Sequence, residues 1–241
     1  MMTTKICIIG NSHIAALKVA VRDSFFQSDT LGFVFWGVRG RKFLEVKFES
    51  GRLVSPDPEF ALVVSGGTHA TINPSDFGAL VFHGPINYTS FIVWFRKLRR
   101  DSGTFSASFL VAGMKSHLHA KPTNALIRQI RSSYKGRILV SPQPLVSEES
   151  AFFGDQIISG GERAETDRIL QEYFEQIGAE YLAQPESTIV DNKYTAKKYS
   201  INSVALIGDL NIKHPPNEHF HMNGCYGAEV LRTIYRKLNS K

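Results

Sequence analysis

The chain has 241 residues, of which 43% are hydrophobic, 21% charged and 11% aromatic, and its formal net charge is +6. These proportions exclude collagen-like, coiled-coil and disordered chains, because the apolar content is ordinary and no short repeat appears. With only 2 cysteines the chain cannot have a disulfide framework. A chain of this length can bury enough apolar surface to fold without disulfide bonds.

Four short apolar runs predict buried strands of a parallel sheet. Each run is continuous, and each ends in a turn: three at a glycine and the fourth at Ser-Pro. Continuous apolar runs of this length are typical of strands that are covered on both faces. In chain order, the predicted strands are residues 5–9, 33–38, 61–64 and 137–140.

Apolar residues at spacings of three and four predict helices that alternate with these strands. The first helix follows the first strand and starts near Ile14. The others cover about 90–100, 124–134 and 162–177, and the last begins near Gly224. This alternation predicts a single three-layer α/β/α domain over residues 1–241, with a doubly wound, mainly parallel, flavodoxin-like sheet.

Ser12 is the first candidate for chemistry, because it lies where the first predicted strand turns into the first helix. Ligands of parallel sheets bind beyond the carboxyl ends of the strands. The backbone N–H of a residue at a helix N-terminus can face a developing oxyanion, but its hydroxyl becomes a nucleophile only beside a base. The alternative role for Ser12 is a helix cap, which is the commoner role of serine at such a position.

A candidate base lies near the other end of the chain. Glu218 and His221 are three positions apart, so a turn would set the carboxylate against one imidazole nitrogen. The other nitrogen would then face outward and accept the proton of a serine hydroxyl. Because Ser12 and His221 are distant in sequence, only the fold can bring them together.

In four blocks the sequence resembles the SGNH (GDSL-type) hydrolases. The Gly-Asn-Ser-His sequence at 10–13, between a strand and a helix, is similar to the first block of that family. Residues 218–227, Glu-x-x-His-x-Asn-x-x-Tyr-Gly, are similar to the last block of the family. The resemblance is to a subgroup in which Tyr-Gly opens the final helix. Residues 38–40 match the second block, and 66–69 fall where the third belongs. The blocks occur in the order of the family and span nearly the whole chain.

The resemblance implies the SGNH fold and a serine esterase or acylhydrolase that forms an acyl-enzyme, with its ester-linked acyl group borne by a small molecule or a saccharide. It makes Ser12 the nucleophile, His221 the general base and Glu218 the residue that orients His221. The backbone N–H groups of Ser12 and Gly40 would form the oxyanion hole, with Thr68 as the third donor.

Two residues depart from the family pattern. Thr68 stands where the family has asparagine, and losing one oxyanion donor costs on the order of 10²–10³ in rate. Asn73 is a substitute donor if its loop folds back. Glu218 stands where the family has aspartate, and Asp209 is an alternative partner for His221. The side chains expected to line the cleft are Asn11, His13, His69 and Asn73.

Two other functions stay open. Because of Thr68, the domain could keep the fold without efficient catalysis and bind a carbohydrate or an acylated partner. The second alternative is a metal-dependent hydrolase, since histidines occur in pairs at 117 and 119 and at 219 and 221. No glycine-rich nucleotide motif is present, so we expect no cofactor.

The sequence also predicts partners and location. The basic residues are scattered and no nucleic-acid-binding motif accompanies them, so we do not expect nucleic acid as a partner. No apolar stretch approaches the ~20 residues that span a bilayer, and the N-terminal run is too short for a signal peptide. We therefore expect a cytoplasmic protein with no membrane span, and the sequence leaves its oligomeric state open.

Overall fold

The computed structural model describes residues 3–101, 106–207 and 210–240. Its strands are β1 Thr4–Gly10, β2 Leu31–Gly37, β3 Lys47–Glu49, β4 Arg52–Val54, β5 Thr71–Ile72, β6 Ala79–His83, β7 Arg137–Ser141, β8 Glu180–Tyr181, β9 Ile189–Val190 and β10 Tyr194–Thr195. Its α-helices are α1 Ile14–Arg22, α2 Pro58–Val64, α3 Tyr88–Asp101, α4 Ala107–His119, α5 Pro122–Arg131, α6 Gly160–Gln176 and α7 Gly224–Asn239.

A five-stranded parallel sheet in the order β2-β1-β6-β7-β8 forms the centre of the molecule. Helices flank it, and the predicted α/β class is therefore confirmed. The chain runs from β1 to β2 on one side and later returns to β6 on the other, so a crevice opens between the carboxyl ends of β1 and β6. Among the described residues, no helix has both the length and the apolar character needed to cross a bilayer.

Each face of the sheet is buried under a different group of helices. In β1, Ile6 and Ile8 join one apolar cluster with side chains of α1 and α7. The alternate residues, Cys7 and Ile9, join the other cluster with side chains of α3, α4, α5 and α6. Covering on both faces explains why β1 is a continuous apolar run rather than an alternating one.

The register of the sheet aligns the carboxyl ends of four strands. Gly10 pairs with both Gly37 and His83, and His83 pairs in turn with Ser141. The segments that follow these residues therefore leave the sheet at one common edge. They begin at 11, 38, 84 and 142.

The prediction of a strand at 61–64 is wrong, because these residues belong to helix α2. Asp57 caps this helix by accepting a hydrogen bond from the Phe60 N–H, and Pro58 occupies its first turn. An aspartate cap followed by proline is a helix-start signal, and here it outweighs the strand-like apolar run.

Candidate active site

Ser12 lies in the turn between β1 and α1, and its side chain does not cap the helix. The Asn11 side-chain oxygen accepts the hydrogen bond from the His13 N–H, at 3.2 Å. The Ser12 hydroxyl instead lies 2.8 Å from Nε2 of His221. This contact joins two residues separated by 209 positions, so the fold supplies the juxtaposition that the sequence left open.

Glu218 binds the opposite side of the His221 imidazole. Its carboxylate lies 3.1 Å from Nδ1, and both side chains are about four-fifths buried. The imidazole N–H is not well aligned on that oxygen, so the attraction is chiefly electrostatic. The same carboxylate accepts backbone N–H bonds from Phe220 and His221, each at 2.9 Å. It is thereby fixed in position as well as paired.

These bonds also set the charge of Glu218. Burial alone would raise the pKa of this carboxyl, but the hydrogen bonds and the nearby imidazole of His221 outweigh it, together with the Phe220 N–H. The result is a pKa lowered to about 2. Glu218 is therefore a carboxylate at neutral pH, as a group that stabilises an imidazolium must be.

The segment that carries His221 is anchored on both sides. On the N-terminal side, the His219 carbonyl accepts a hydrogen bond from the Ser147 N–H at 2.8 Å. On the C-terminal side, Asn223 caps α7 by accepting from the N–H groups of Cys225 and Tyr226. The Asn223 amide also donates to two carbonyls of the preceding loop. The imidazole is thus positioned by its backbone and not only by Glu218.

Two further imidazoles stack on His221. The His13 ring lies 4.8 Å away on one face, and the His214 ring lies 4.3 Å away on the other. Burial is the main cause that lowers the pKa of both: that of His13 falls well below the usual value. His221 is consequently flanked by neutral rings at neutral pH. His13 was predicted to line the cleft, whereas no sequence signal indicated His214.

Two backbone amides follow strands that end at the same edge of the sheet. One belongs to Ser12 and the other to Gly40, which follows β2 and has φ +49°. Such a left-handed conformation favours glycine. Within the described part of the chain, neither amide donates to a protein acceptor, so both are available to an oxyanion.

The other predicted donors lie elsewhere. The Thr68 hydroxyl is exposed and donates to the Ser65 carbonyl at 2.7 Å, in the loop that follows α2. His69 packs against Phe77, just before the amino end of β6, and Asn73 caps the short helical turn in between. Among the described residues, no hydrogen bond or ring contact joins these three side chains to Ser12 or His221.

β6 is a central strand that the sequence analysis missed, and it introduces Asn87. The chain leaves β6 through Gly84, and four residues after His83 it reaches Asn87 at the start of α3. The Asn87 side-chain oxygen accepts from the Ser90 N–H, which leaves its amide free to donate. The signal that could have indicated this strand is the apolar run at 79–82, which is followed by Gly-Pro at 84–85.

One of the two predicted histidine pairs is unsuited to share a metal ion. His117 and His119 are two positions apart on helix α4, so their side chains point in different directions. A different set, His214, Glu218 and His221, has potential ligand atoms within 4.8 Å of one another among the described residues. Two of these side chains already interact with each other, so a cation here would compete with that pair. Asp209 lies outside the described residues.

Comparison with known proteins finds similarity of fold and no similarity of sequence. No family model matches the chain, and no curated protein is similar to it. A Streptococcus pneumonia structure provisionally described as a platelet activating factor has a TM-score of 0.50 and 13% identity, over 99% of this chain and 85% of that one. A likeness at this identity establishes a shared fold.

Two further structures align over nearly all of the chain with lower TM-scores. One, provisionally described as an arylesterase from Agrobacterium tumefaciens, has 8% identity and a TM-score of 0.41, with 98% of each chain covered. The other is a carbohydrate acetylesterase family member from Sinorhizobium meliloti, with 11% identity and a TM-score of 0.41 over 98% of this chain and 97% of that one.

Proposed function

We propose that this chain is a serine esterase of the SGNH type. It cleaves, or transfers, an ester-linked acyl group of a small molecule or saccharide. The observation that carries the proposal is the 2.8 Å contact between the Ser12 hydroxyl and the His221 imidazole, with a charged Glu218 behind it.

The reaction follows from this geometry. His221 takes the proton of the Ser12 hydroxyl while the Ser12 oxygen bonds to the carbonyl carbon of the ester. The N–H groups of Ser12 and Gly40 bind the oxyanion that forms. The His221 imidazolium then gives its proton to the leaving alcohol, and an acyl-enzyme remains. Water deprotonated by His221 attacks that ester, and the freed proton returns to Ser12 as the acid leaves.

Asn87 takes the role that the sequence analysis gave to Thr68. It follows β6, the strand beside β1, and its amide is free to donate at the edge of the sheet where Ser12 lies. Three donors from three strand ends would thus surround the oxyanion: one after β1, one after β2 and one after β6.

Labelling with a fluorophosphonate tests the nucleophile. Wild type should become labelled on Ser12 and should hydrolyse p-nitrophenyl acetate, whereas Ser12→Ala should do neither. Ser132→Ala is the matched control, since that exposed hydroxyl only donates to the backbone of its own helix. Loss of activity on the order of 10⁴-fold or more is expected for Ser12→Ala and for His221→Ala, and the double variant should lose little more.

Two outcomes would contradict the proposal. Undiminished labelling of Ser12→Ala would place the nucleophile elsewhere. A folded wild type that neither reacts with the probe nor hydrolyses any ester would favour the silent binding domain instead.

A further inference from the structure

The hydrogen bonds of the candidate triad do not fix the plane of the His221 ring. The ring torsion of a histidine side chain is broad, so the side chain does not set the plane by itself. The contact with the Ser12 hydroxyl places only one ring atom, Nε2. The Glu218 carboxylate lies 3.1 Å from Nδ1, yet Nδ1 has no well-aligned hydrogen-bond partner among the described residues. Packing must therefore set the angle of the ring.

Two imidazoles enclose the His221 ring and supply that packing. The His13 ring lies at a centroid distance of 4.8 Å and is inclined by 18° to the His221 ring. The His214 ring lies on the other face at 4.3 Å and is inclined by 15°. Turning the middle ring out of this plane would drive its edges into both neighbours, and closely packed side chains resist such overlap.

The backbone that carries each outer ring is held by bonds that do not involve His221. The His13 N–H donates to the Asn11 side-chain oxygen at 3.2 Å. Gly84 packs against the same residue, and a Cβ there would lie only 3.3 Å from the His13 Cβ. The His214 N–H donates to the Ser203 carbonyl at 2.9 Å. Both sides of the stack therefore have supports of their own.

The outer rings act on His221 through their faces and not through hydrogen bonds. Nδ1 of His13 and Nε2 of His214 have no hydrogen-bond partner among the described residues. As neutral rings, both present π faces to the imidazolium that forms when His221 takes a proton, and a π face attracts a cation. Their contribution is thus that of a flat, uncharged ring, which phenylalanine can also supply.

We propose that His13 and His214 are positioning residues, which hold the His221 ring at the angle where Nε2 meets the Ser12 hydroxyl. They contribute to the reaction only through His221. This inference rests on the proposed function, because it takes His221 as the general base.

Three substitutions of His214 test the role of the ring. His214→Ala removes it, and kcat on p-nitrophenyl acetate should fall about 10- to 100-fold with little change in KM, because a misplaced catalytic group costs rate in this range. His214→Phe restores a flat ring and should recover most of the wild-type kcat. His214→Leu fills similar space without a flat face and should recover much less.

A double-mutant cycle tests whether the outer rings act through the base. In a His221→Ala background, His13→Ala and His214→Ala should each cost no further activity, since there is no ring left to position. A side chain that served only the fold, or that touched the substrate, would lower the residual rate as well. His117→Ala is the matched control, because that imidazole also stacks on an aromatic ring, that of Trp94 at 4.5 Å, and should leave kcat unchanged.

The rates are compared per folded molecule. Urea unfolding measures the stability of each variant, and fluorophosphonate labelling carried to completion counts the molecules with a reactive Ser12. If His13→Ala fails to fold, the three substitutions of His214 still decide the matter.

Three results would overturn the inference: an unchanged kcat in His214→Ala, equal recovery by leucine and phenylalanine, or an undiminished loss in the His221→Ala background. Failure of the proposed function gives a different result. Wild type and Ser12→Ala would then show the same rate and the same labelling, whatever residue stands at 214.

Discussion

The carboxylate of Glu218 accepts hydrogen bonds from two backbone N–H groups of its own segment and lies 3.1 Å from Nδ1 of the imidazole that it orients. Glu218→Gln keeps the shape but removes the charge that stabilises the imidazolium of His221. We expect kcat to fall on the order of 10²–10⁴-fold with little change in KM, because substrate binding does not use this group. Steady-state kinetics on p-nitrophenyl esters would measure both values.

Glu218→Asp is the informative companion variant. The shorter side chain keeps the charge but withdraws it from an imidazole that is now 3.1 Å away. An activity between those of wild type and Glu218→Gln is expected. If Glu218→Gln retained the wild-type rate, another acid would have to orient His221, and Asp209 would be the next candidate to replace.

The cluster of His214, Glu218 and His221 predicts how the enzyme responds to metal. Zinc bound by these three side chains would occupy Nδ1 of His221 and the carboxylate together. Added zinc should therefore inhibit, and EDTA should leave the rate unchanged. His214→Phe preserves a stacked ring but removes one ligand, so the zinc concentration for half-inhibition should rise. Loss of activity with EDTA would instead favour the alternative function, a metal-dependent hydrolase.

The packing of α1 against α7 determines whether Ser12 and His221 can meet, because Ser12 lies just before α1 and His221 lies just before α7. The two helices are in close contact at Gly227: a Cβ there would lie 2.1 Å from the Ala16 carbonyl oxygen. Gly227→Ala must push the helices apart, at a cost of about 1–3 kcal/mol in the free energy of unfolding. It should also reduce activity, since the separation moves the serine from its base.

Gly113 provides the control for this prediction. It lies within α4, and a Cβ there would meet nothing within 4 Å. Gly113→Ala should therefore stabilise the protein by up to about 1 kcal/mol through the better helix propensity of alanine. Urea unfolding of both variants would test the pair. Equal effects would show that packing between α1 and α7 is looser than the geometry indicates.

Most of the helices and strands could be predicted from the sequence, because their apolar residues follow a recognisable pattern. Continuous apolar runs indicated β1, β2 and β7, and helical spacing indicated α1, α3, α5, α6 and α7. Helix α2 was mistaken for a strand because residues 61–64 are all apolar and show no helical periodicity, although Asp57 and Pro58 are helix-start signals. β6 was missed for a related reason, since five buried residues carry no periodicity by themselves.

The missed strand also explains what was missed in the site. Glu218 and His221 are close in sequence, so their contact could be predicted from spacing. Asn87 could not, because its place at the carboxyl edge depends on β6 lying beside β1. His214 contacts His221 through a loop whose path no local pattern determines. Local chemistry was thus readable from the sequence, whereas long-range placement required the sheet order.

The free energy of unfolding of the whole molecule should depend on pH because one histidine, His83, is buried at the carboxyl edge of the sheet. His83 is fully buried at the end of β6, with Nδ1 3.2 Å from the Ser141 hydroxyl. Burial lowers the pKa of this imidazole from 6.5 to about 3. The unfolded chain therefore binds a proton at pH 5 that the folded chain rejects, and stability must fall as the pH drops from 6.5 toward 3.

The magnitude follows from the same linkage. At about 1.4 kcal/mol per unit of pKa difference, His83 alone should lower the free energy of unfolding by on the order of 2 kcal/mol between pH 7.5 and pH 5. His83→Asn removes the titrating group, so its stability should depend less steeply on pH, whatever its absolute value. Exposed His119 offers the control, and His119→Gln should keep the wild-type slope. Urea unfolding at the two pH values measures each slope, and equal slopes for wild type and His83→Asn would mean that His83 is protonated in the fold.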